Sequence, residues 1–232
     1  SGAYGVRISE HVLGMCLSLC RHLPSYEAYQ RRGVHKMVAP EKLLFGATAL
    51  IYGIGDLGSN VARRLQAFDV HTIGICRRSS QTPAGFDEIH GIAEADTFLP
   101  KADFVLCCLP GTEQTEGYFD QARFSKMPKG AVFVNVGRGS CVVTEALTQA
   151  LLSGGLLGAG LDVTQPEPLP KDHPLRKLRN VILTPHIAGV GFGAAAETER
   201  RITAICCDNL QRYPSGWPLR NQVDFSSGYR KR

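Results

Sequence analysis

What this chain lacks narrows its function first. Across 232 residues no apolar run reaches the ~18–20 residues that a membrane span requires, so a spanning helix is not expected. Residues 12–19 have the look of a signal-peptide core. However, Ile8, Val12, Leu13, Cys16 and Leu19 recur at helical spacing, and no small-residue cleavage site follows. An amphipathic helix is expected there instead. There is no Cys-x-x-Cys pair and no Asn-x-Ser/Thr sequon, although eight cysteines are present (Cys16, Cys20, Cys76, Cys107, Cys108, Cys141, Cys206, Cys207). Lying in expected helices and strands, they read as buried free thiols of a reducing compartment rather than a disulfide framework, so the cytoplasm is the expected location. Internal repeats and low-complexity tracts are absent. So is a basic stripe: 26 Lys and Arg against 21 Asp and Glu leave a net charge of +5, mostly scattered. Without a clustered stripe or a recognisable module, nucleic acid is not an expected partner.

What is present describes a globular protein. The chain is 44% hydrophobic and 20% charged, with length for one ordinary domain and part of a second. After the opening helix, residues 24–45 mix Pro, Gly and charge. From there short β-rich runs, expected as strands at 47–52, 70–75, 104–109, 131–136, 159–161 and 181–184, alternate with helical candidates at 57–67, 119–126 and 144–153. A long last helix is expected from about Ala194 to Arg212, before a polar tail. Apolar strands alternating with helices predict a parallel sheet covered on both faces, the doubly wound, Rossmann-like α/β architecture.

Gly53-Ile54-Gly55-Asp56-Leu57-Gly58 reads G-x-G-x-x-G. The pattern is short, and a tight turn with no ligand would use the same glycines. Its place between an expected strand and an expected helix gives it meaning. Gly53 permits the turn, Gly55 lets the backbone approach a pyrophosphate, and Gly58 allows close helix–strand packing. The helix N-terminus then offers unpaired N–H groups to the phosphates. Where NAD-binding proteins carry an acid, about twenty residues on, this sequence has Arg77 and Arg78 followed by Ser79 and Ser80. Guanidinium forks suit a 2′-phosphate, so NADP is the expected cofactor, with NAD the alternative. A basic surface turn without a role is the competing reading of the two arginines.

Beyond this loop several separated blocks occur in one order. They are Leu109-Pro110-Gly111-Thr112-Glu113-Gln114-Thr115, Asn135-Val136-Gly137-Arg138-Gly139, Gly160-Leu161-Asp162-Val163, Glu167-Pro168-Leu169-Pro170 and Thr184-Pro185-His186-Ile187-Ala188-Gly189. Together they resemble the D-isomer-specific 2-hydroxyacid dehydrogenase family over nearly the whole chain, in the manner of glyoxylate and hydroxypyruvate reductases. The resemblance implies a catalytic set of Arg138, Glu167 and His186. It implies cofactor contacts at Gly53, Gly55, Asp56, Leu57, Gly58, Arg77, Arg78, Leu109, Pro110, Thr115, Val136, Arg138, Asp162, His186 and Gly189, with Asp162 meeting the nicotinamide amide.

The chemistry suits those residue types. Reducing a 2-keto acid needs a hydride at the carbonyl carbon and a proton at the developing alkoxide. Imidazole titrates near neutrality, so His186 suits the proton donor, and Glu167 on its ring would favour the imidazolium. Arg138 offers a permanent charge and a planar fork for the substrate carboxylate and carbonyl oxygen. Singly, each has a plain use: Arg138 could close a turn, Glu167 is an ordinary loop acid, and His186 could end a strand. Their joint occurrence within the blocks favours function.

Two departures from the family pattern stand out. Thr144 replaces a usual Asp, and is expected to cap the following helix nearly as well. The family's N-terminal lobe of roughly 100 residues has no counterpart here, and the chain opens with Ser1 rather than Met, so a piece of a longer protein is expected. On this reading residues 1–190 are the dinucleotide-binding domain and 191–232 belong to a mostly absent substrate lobe. The resemblance also implies a homodimer, with residues 24–45 as the expected contact. A non-catalytic NADP(H)-binding sensor or corepressor is the alternative function.

Overall fold

Runs in which nearly every residue is apolar can be stable only when both faces of a strand are covered, and the central strands here are of that kind. The computed structural model describes residues 2–38, 40–77, 83–189, 196–225 and 229–230. Two helices come first, α1 (Gly5–Cys20) and α2 (Leu23–Arg31). They are followed by β1 (Thr48–Tyr52), α3 (Asp56–Gln66), β2 (His71–Cys76), β3 (Glu88–Gly91), the one-turn α4 (Ala95–Phe98) and β4 (Phe104–Cys107). The second half runs α5 (Gln121–Lys126), β5 (Ala131–Asn135), α6 (Thr144–Leu152), β6 (Leu156–Leu161), β7 (Val181–Leu183) and α7 (Ala196–Arg212). A short antiparallel pair, β8 (Val223–Asp224) and β9 (Tyr229–Arg230), ends the described chain.

The first seven strands form one parallel sheet in the order β3-β2-β1-β4-β5-β6-β7. Strand order reverses between β1 and β4, and a ligand crevice opens at the carboxyl ends beside such a switch point. Alternation along each strand divides the core in two. Ala49, Ile51, Leu106, Val132 and Val134 face α1 and α3, against Val12, Met15, Leu19, Val61 and Leu65. Leu50, Tyr52, Val105, Phe133 and Leu161 face the other layer, against Leu99, Phe124, Leu147 and Leu151. The doubly wound α/β fold read from the sequence is therefore the observed one.

Several boundaries differ from the sequence reading. β6 begins at Leu156 rather than at residue 159, because Leu156 pairs with Ala131 across a register shift in β5. The run expected as a helix from residue 119 starts at Gln121. Asp120 is its cap, accepting from the Arg123 N–H, while Phe119 is fully buried in the core. Part of the mixed segment 24–45 is the helix α2, whose Pro24 sits in the first turn where its missing N–H costs nothing. β3 and α4 went unread. All eight cysteines are free, but the expectation that the thiols are buried holds only for Cys16, Cys20, Cys107 and Cys141; Cys76 and Cys108 are half-buried, and Cys206 and Cys207 are exposed on α7. The expected start of the last helix, near Ala194, lies outside the described residues. No helix among the described residues is long and apolar enough to cross a membrane.

Candidate active site

Every predicted site residue that the structure describes lies at or just beyond the carboxyl end of a sheet strand. After β1 the chain turns at Gly53, whose φ of 101° belongs to the left-handed region and whose N–H donates to the Ile75 carbonyl at 2.8 Å. A Cβ at Gly58 would run into the Gly53 carbonyl oxygen, so the helix can start this close to the strand only without a side chain there. Gly55 caps α3, and nothing lies within 4 Å of where its Cβ would stand. That open space lies beside the first N–H groups of α3, and fits a phosphate cradle. Asp56 begins α3, but its carboxylate is engaged by the Gly2 N–H at 2.6 Å and the Asn60 amide at 3.2 Å. Its backbone, not its side chain, is left to face a cofactor. Leu57 packs against the α1–α3 core.

At the end of β2, Arg77 is exposed. Arg78, the other half of the predicted phosphate fork, lies outside the described residues. After β4, Leu109 is buried, so only its backbone faces the crevice, and the same holds for Val136 after β5. Thr115 is also buried. Its hydroxyl accepts from the Thr112 N–H at 2.9 Å and donates to the Pro110 carbonyl at 2.6 Å, which closes the 110–115 turn on itself. Beneath that turn the Cys141 thiol points at the Pro110 carbonyl, 3.7 Å away. A hydrogen bond from Cys107 lowers the Cys141 pKa to about 7, while burial pushes Cys107 well up.

Arg138 follows β5 on a loop fixed by a residue that the sequence reading missed. Asn135 is buried, accepts from the Gly137 N–H at 3.0 Å and donates to the Arg138 carbonyl at 2.9 Å. The guanidinium is exposed and donates to the Gly137 carbonyl at 2.7 Å. A Cβ at Gly137 would strike Leu109, and one at Gly139 would strike the Thr164 carbonyl, so the loop is pressed between its two neighbours. Thr164 begins the turn that carries Glu167, and its N–H faces the Glu167 carboxylate at 3.4 Å. Thr144 does not cap α6 as expected, because Val143 is the cap residue. Its hydroxyl instead donates to the Gln165 carbonyl at 2.5 Å and ties that turn to the helix.

Glu167 Oε1 lies 2.8 Å from His186 Nδ1, with both side chains about half exposed. His186 has a φ of 55°, a left-handed conformation that a Cβ makes costly, so something must hold it. The holder is Asp162, at the end of β6 and 3% exposed. Its backbone carbonyl accepts the His186 N–H at 2.9 Å. Its carboxylate accepts from the Thr184 hydroxyl at 2.6 Å, the Ile187 N–H at 2.9 Å and the Ala188 N–H at 3.0 Å. Oδ2 keeps room for one more donor, which is compatible with the amide contact the resemblance implies. Gly189 completes the loop against Ile8 of α1 and Tyr4, its cap residue. Glu167 and His186 are thus in direct contact, and Arg138 reaches their turn through Gly139 and Thr164.

Comparison with known proteins places this geometry. Residues 13–188 match the model of the D-isomer specific 2-hydroxyacid dehydrogenase NAD binding domain. A human glyoxylate reductase/hydroxypyruvate reductase is 32% identical over 219 residues, covering 93% of this chain and 66% of the human protein, so the chain spans just under two thirds of that relative. Among solved structures, an NADPH-dependent glyoxylate/hydroxypyruvate reductase from Sinorhizobium meliloti, in complex with NADP and sulfate, superimposes with a TM-score of 0.85. It is 33% identical, with 98% of this chain and 71% of that one covered. A D-isomer specific 2-hydroxyacid dehydrogenase from Xanthobacter autotrophicus Py2, in complex with NADPH and MES, gives 0.84 at 33% identity, over 96% of this chain and 89% of that one.

Proposed function

Because this chain belongs to the D-isomer specific 2-hydroxyacid dehydrogenase family and carries its NAD binding domain, we propose that it serves an NADP-dependent reductase of small 2-keto acids. Glyoxylate or hydroxypyruvate is the favoured substrate, in line with the names of its relatives. The observation that carries the reading is the 2.8 Å pair of His186 and Glu167 at the carboxyl edge of the sheet, on a backbone strained to present it. A pure cofactor sensor has no need of such a pair.

In this mechanism Gly53, Gly55 and the first turn of α3 bind the pyrophosphate. Arg77 stands where an acid would select NAD, and suits a 2′-phosphate. The bound nicotinamide supplies the hydride. Arg138 binds the substrate carboxylate and polarises the keto oxygen through its fork. Glu167 accepts the Nδ1–H of His186, which fixes the ring and leaves Nε2 as the atom that faces the substrate. The Nε2 proton passes to the alkoxide oxygen as the carbonyl carbon is reduced, and the reverse direction uses Nε2 as base. The exposed Leu210, Tyr213 and Trp217 of the C-terminal part support assigning residues 191–232 to a substrate lobe. The exposed Met37, Leu43 and Phe45 support residues 24–45 as a homodimer contact in a cytoplasmic enzyme.

The test is NADPH oxidation with glyoxylate, hydroxypyruvate and pyruvate, run beside NADPH binding. His186→Gln is expected to lower turnover by about 10²–10⁴-fold while NADPH binds as before. Undiminished turnover in that variant overturns the mechanism.

A further inference from the structure

The loop of His186 rests on α1, and among the described residues a polar contact from His11 joins the two. His11 Nε2 lies 3.0 Å from the Thr184 hydroxyl oxygen, across 173 residues of sequence. A hydroxyl has one proton, and that of Thr184 is committed, because the Asp162 carboxylate 2.6 Å away can only accept. His11 must therefore be the donor. The neutral tautomer with its proton on Nδ1 would set a ring lone pair against the hydroxyl oxygen. The tautomer is thus fixed by geometry, with hydrogen on Nε2.

From His11 the chain of donors runs inward. The His11 Nε2–H points to Thr184, Thr184 points to Asp162, and Asp162 gathers the N–H groups of Ile187 and Ala188 with its carboxylate and that of His186 with its carbonyl. Tyr4, Ile8 and His11 recur at helical spacing, so a single face of α1 and its cap residue meet the loop: the first two against Gly189, the third against Thr184. His186 stands in the left-handed region, its N–H shared between the Asp162 carbonyl at 2.9 Å and the Thr184 carbonyl at 3.0 Å, so both residues of this chain of donors hold its backbone there. Once Thr184 loses its donor partner, its hydroxyl is freer to rotate, and the Asp162 carboxylate loses a fixed bond on Oδ1.

We infer that His11 is a positioning residue for the proton donor, acting through Thr184 and Asp162 to fix the His186 backbone. This rests on His186 being the proton donor. His11 touches neither substrate nor cofactor in this role. Its Nε2 sits three bonds beyond the Cβ, as does the amide nitrogen of glutamine, so the role makes a chemical prediction that simple packing does not. Gln at this position keeps the donor in place, Asn presents it one bond short, and Leu fills the space with no donor.

The experiment compares His11→Gln, His11→Asn and His11→Leu by steady-state kinetics and by the NMR resonances of the His186 ring, assigned through their loss in His186→Gln. His11→Gln is expected to keep kcat within about threefold. The Asn and Leu variants are expected to lose about 10-fold or more in kcat, with the KM for NADPH little changed and the His186 resonances displaced. Equal losses in the Gln and Leu variants would mean that shape rather than a donor matters, and would overturn the inference. So would unchanged His186 resonances in the Leu variant. The NMR arm needs no turnover. A protein inactive toward every keto acid, but with His186 resonances moving in Leu and not in Gln, would sink the reductase reading while leaving the positional link intact.

Discussion

Replacing Asp162 with Ala would remove a carboxylate on which three groups of the His186 loop converge. The carboxylate is 3% exposed and takes three hydrogen bonds, from the Thr184 hydroxyl and the N–H groups of Ile187 and Ala188. A bond to a charged acceptor contributes about 1.5–3 kcal/mol, so three set an upper range of roughly 4.5–9 kcal/mol. The real loss is smaller, because part of the loop is exposed and its freed groups turn to water. A net destabilisation of about 3–5 kcal/mol is expected, the scale of breaking a buried ionic arrangement. With a urea slope of about 2 kcal/mol per molar, the unfolding midpoint falls by roughly 1.5–2.5 M. Asp162→Asn keeps one oxygen for Thr184 and Ile187 but faces the Ala188 N–H with a second donor, so its loss should be about half as large. The assay is equilibrium urea unfolding followed by far-UV circular dichroism. A midpoint within about 0.3 M of the parent for Asp162→Ala would refute the claim that this carboxylate anchors the loop.

Two further outcomes follow from other parts of the sheet edge. In Gly58→Ala the new methyl would meet the Gly53 carbonyl, so NADPH affinity should fall at least ~10-fold and stability by about 1–3 kcal/mol, read by fluorescence titration and thermal melting. Glu88 accepts hydrogen bonds from His90 and His71, which hold its pKa below the usual 4.5. A depressed carboxylate contributes stability above its unfolded pKa and loses it as pH falls through the folded value. Glu88→Gln should therefore unfold less steeply than the parent between about pH 5 and 3, and parallel acid-unfolding curves would remove this assignment.

The central strands were legible because burial on both faces leaves its mark as uninterrupted apolar runs, as in residues 131–134. β3 was not, since Glu88-Ile89-His90-Gly91 has one apolar side chain. It is held in place by pairing with β2 and by the Asp87 carboxylate, which takes the Thr72 N–H and hydroxyl. The early part of β6 was hidden by the glycines around Leu156 and Leu157. Gly158 and Gly160 are needed there because Leu19 and Met15 of α1 press on the strand where side chains would be. At the site, Arg138, Glu167 and His186 could be read from their blocks. Asn135, Thr144 and His11 could not, because their partners are a loop backbone, a turn carbonyl and a hydroxyl 173 residues distant, none of which leaves a local pattern.

The two ends of the site share one support. Gly5 of α1 comes so close to Asp56 and Asn60 that a Cβ would not fit, while Ile8 and His11 of the same helix carry the loop of His186. The glycine turn and the loop of His186 are therefore both mounted on the first two turns of one 16-residue helix. When that helix tilts, both travel with it, and the span between them is conserved. A hinge that opens a cleft beyond this helix can swing freely without altering the catalytic spacing. A bend within its first two turns would detune the site even with every catalytic side chain intact.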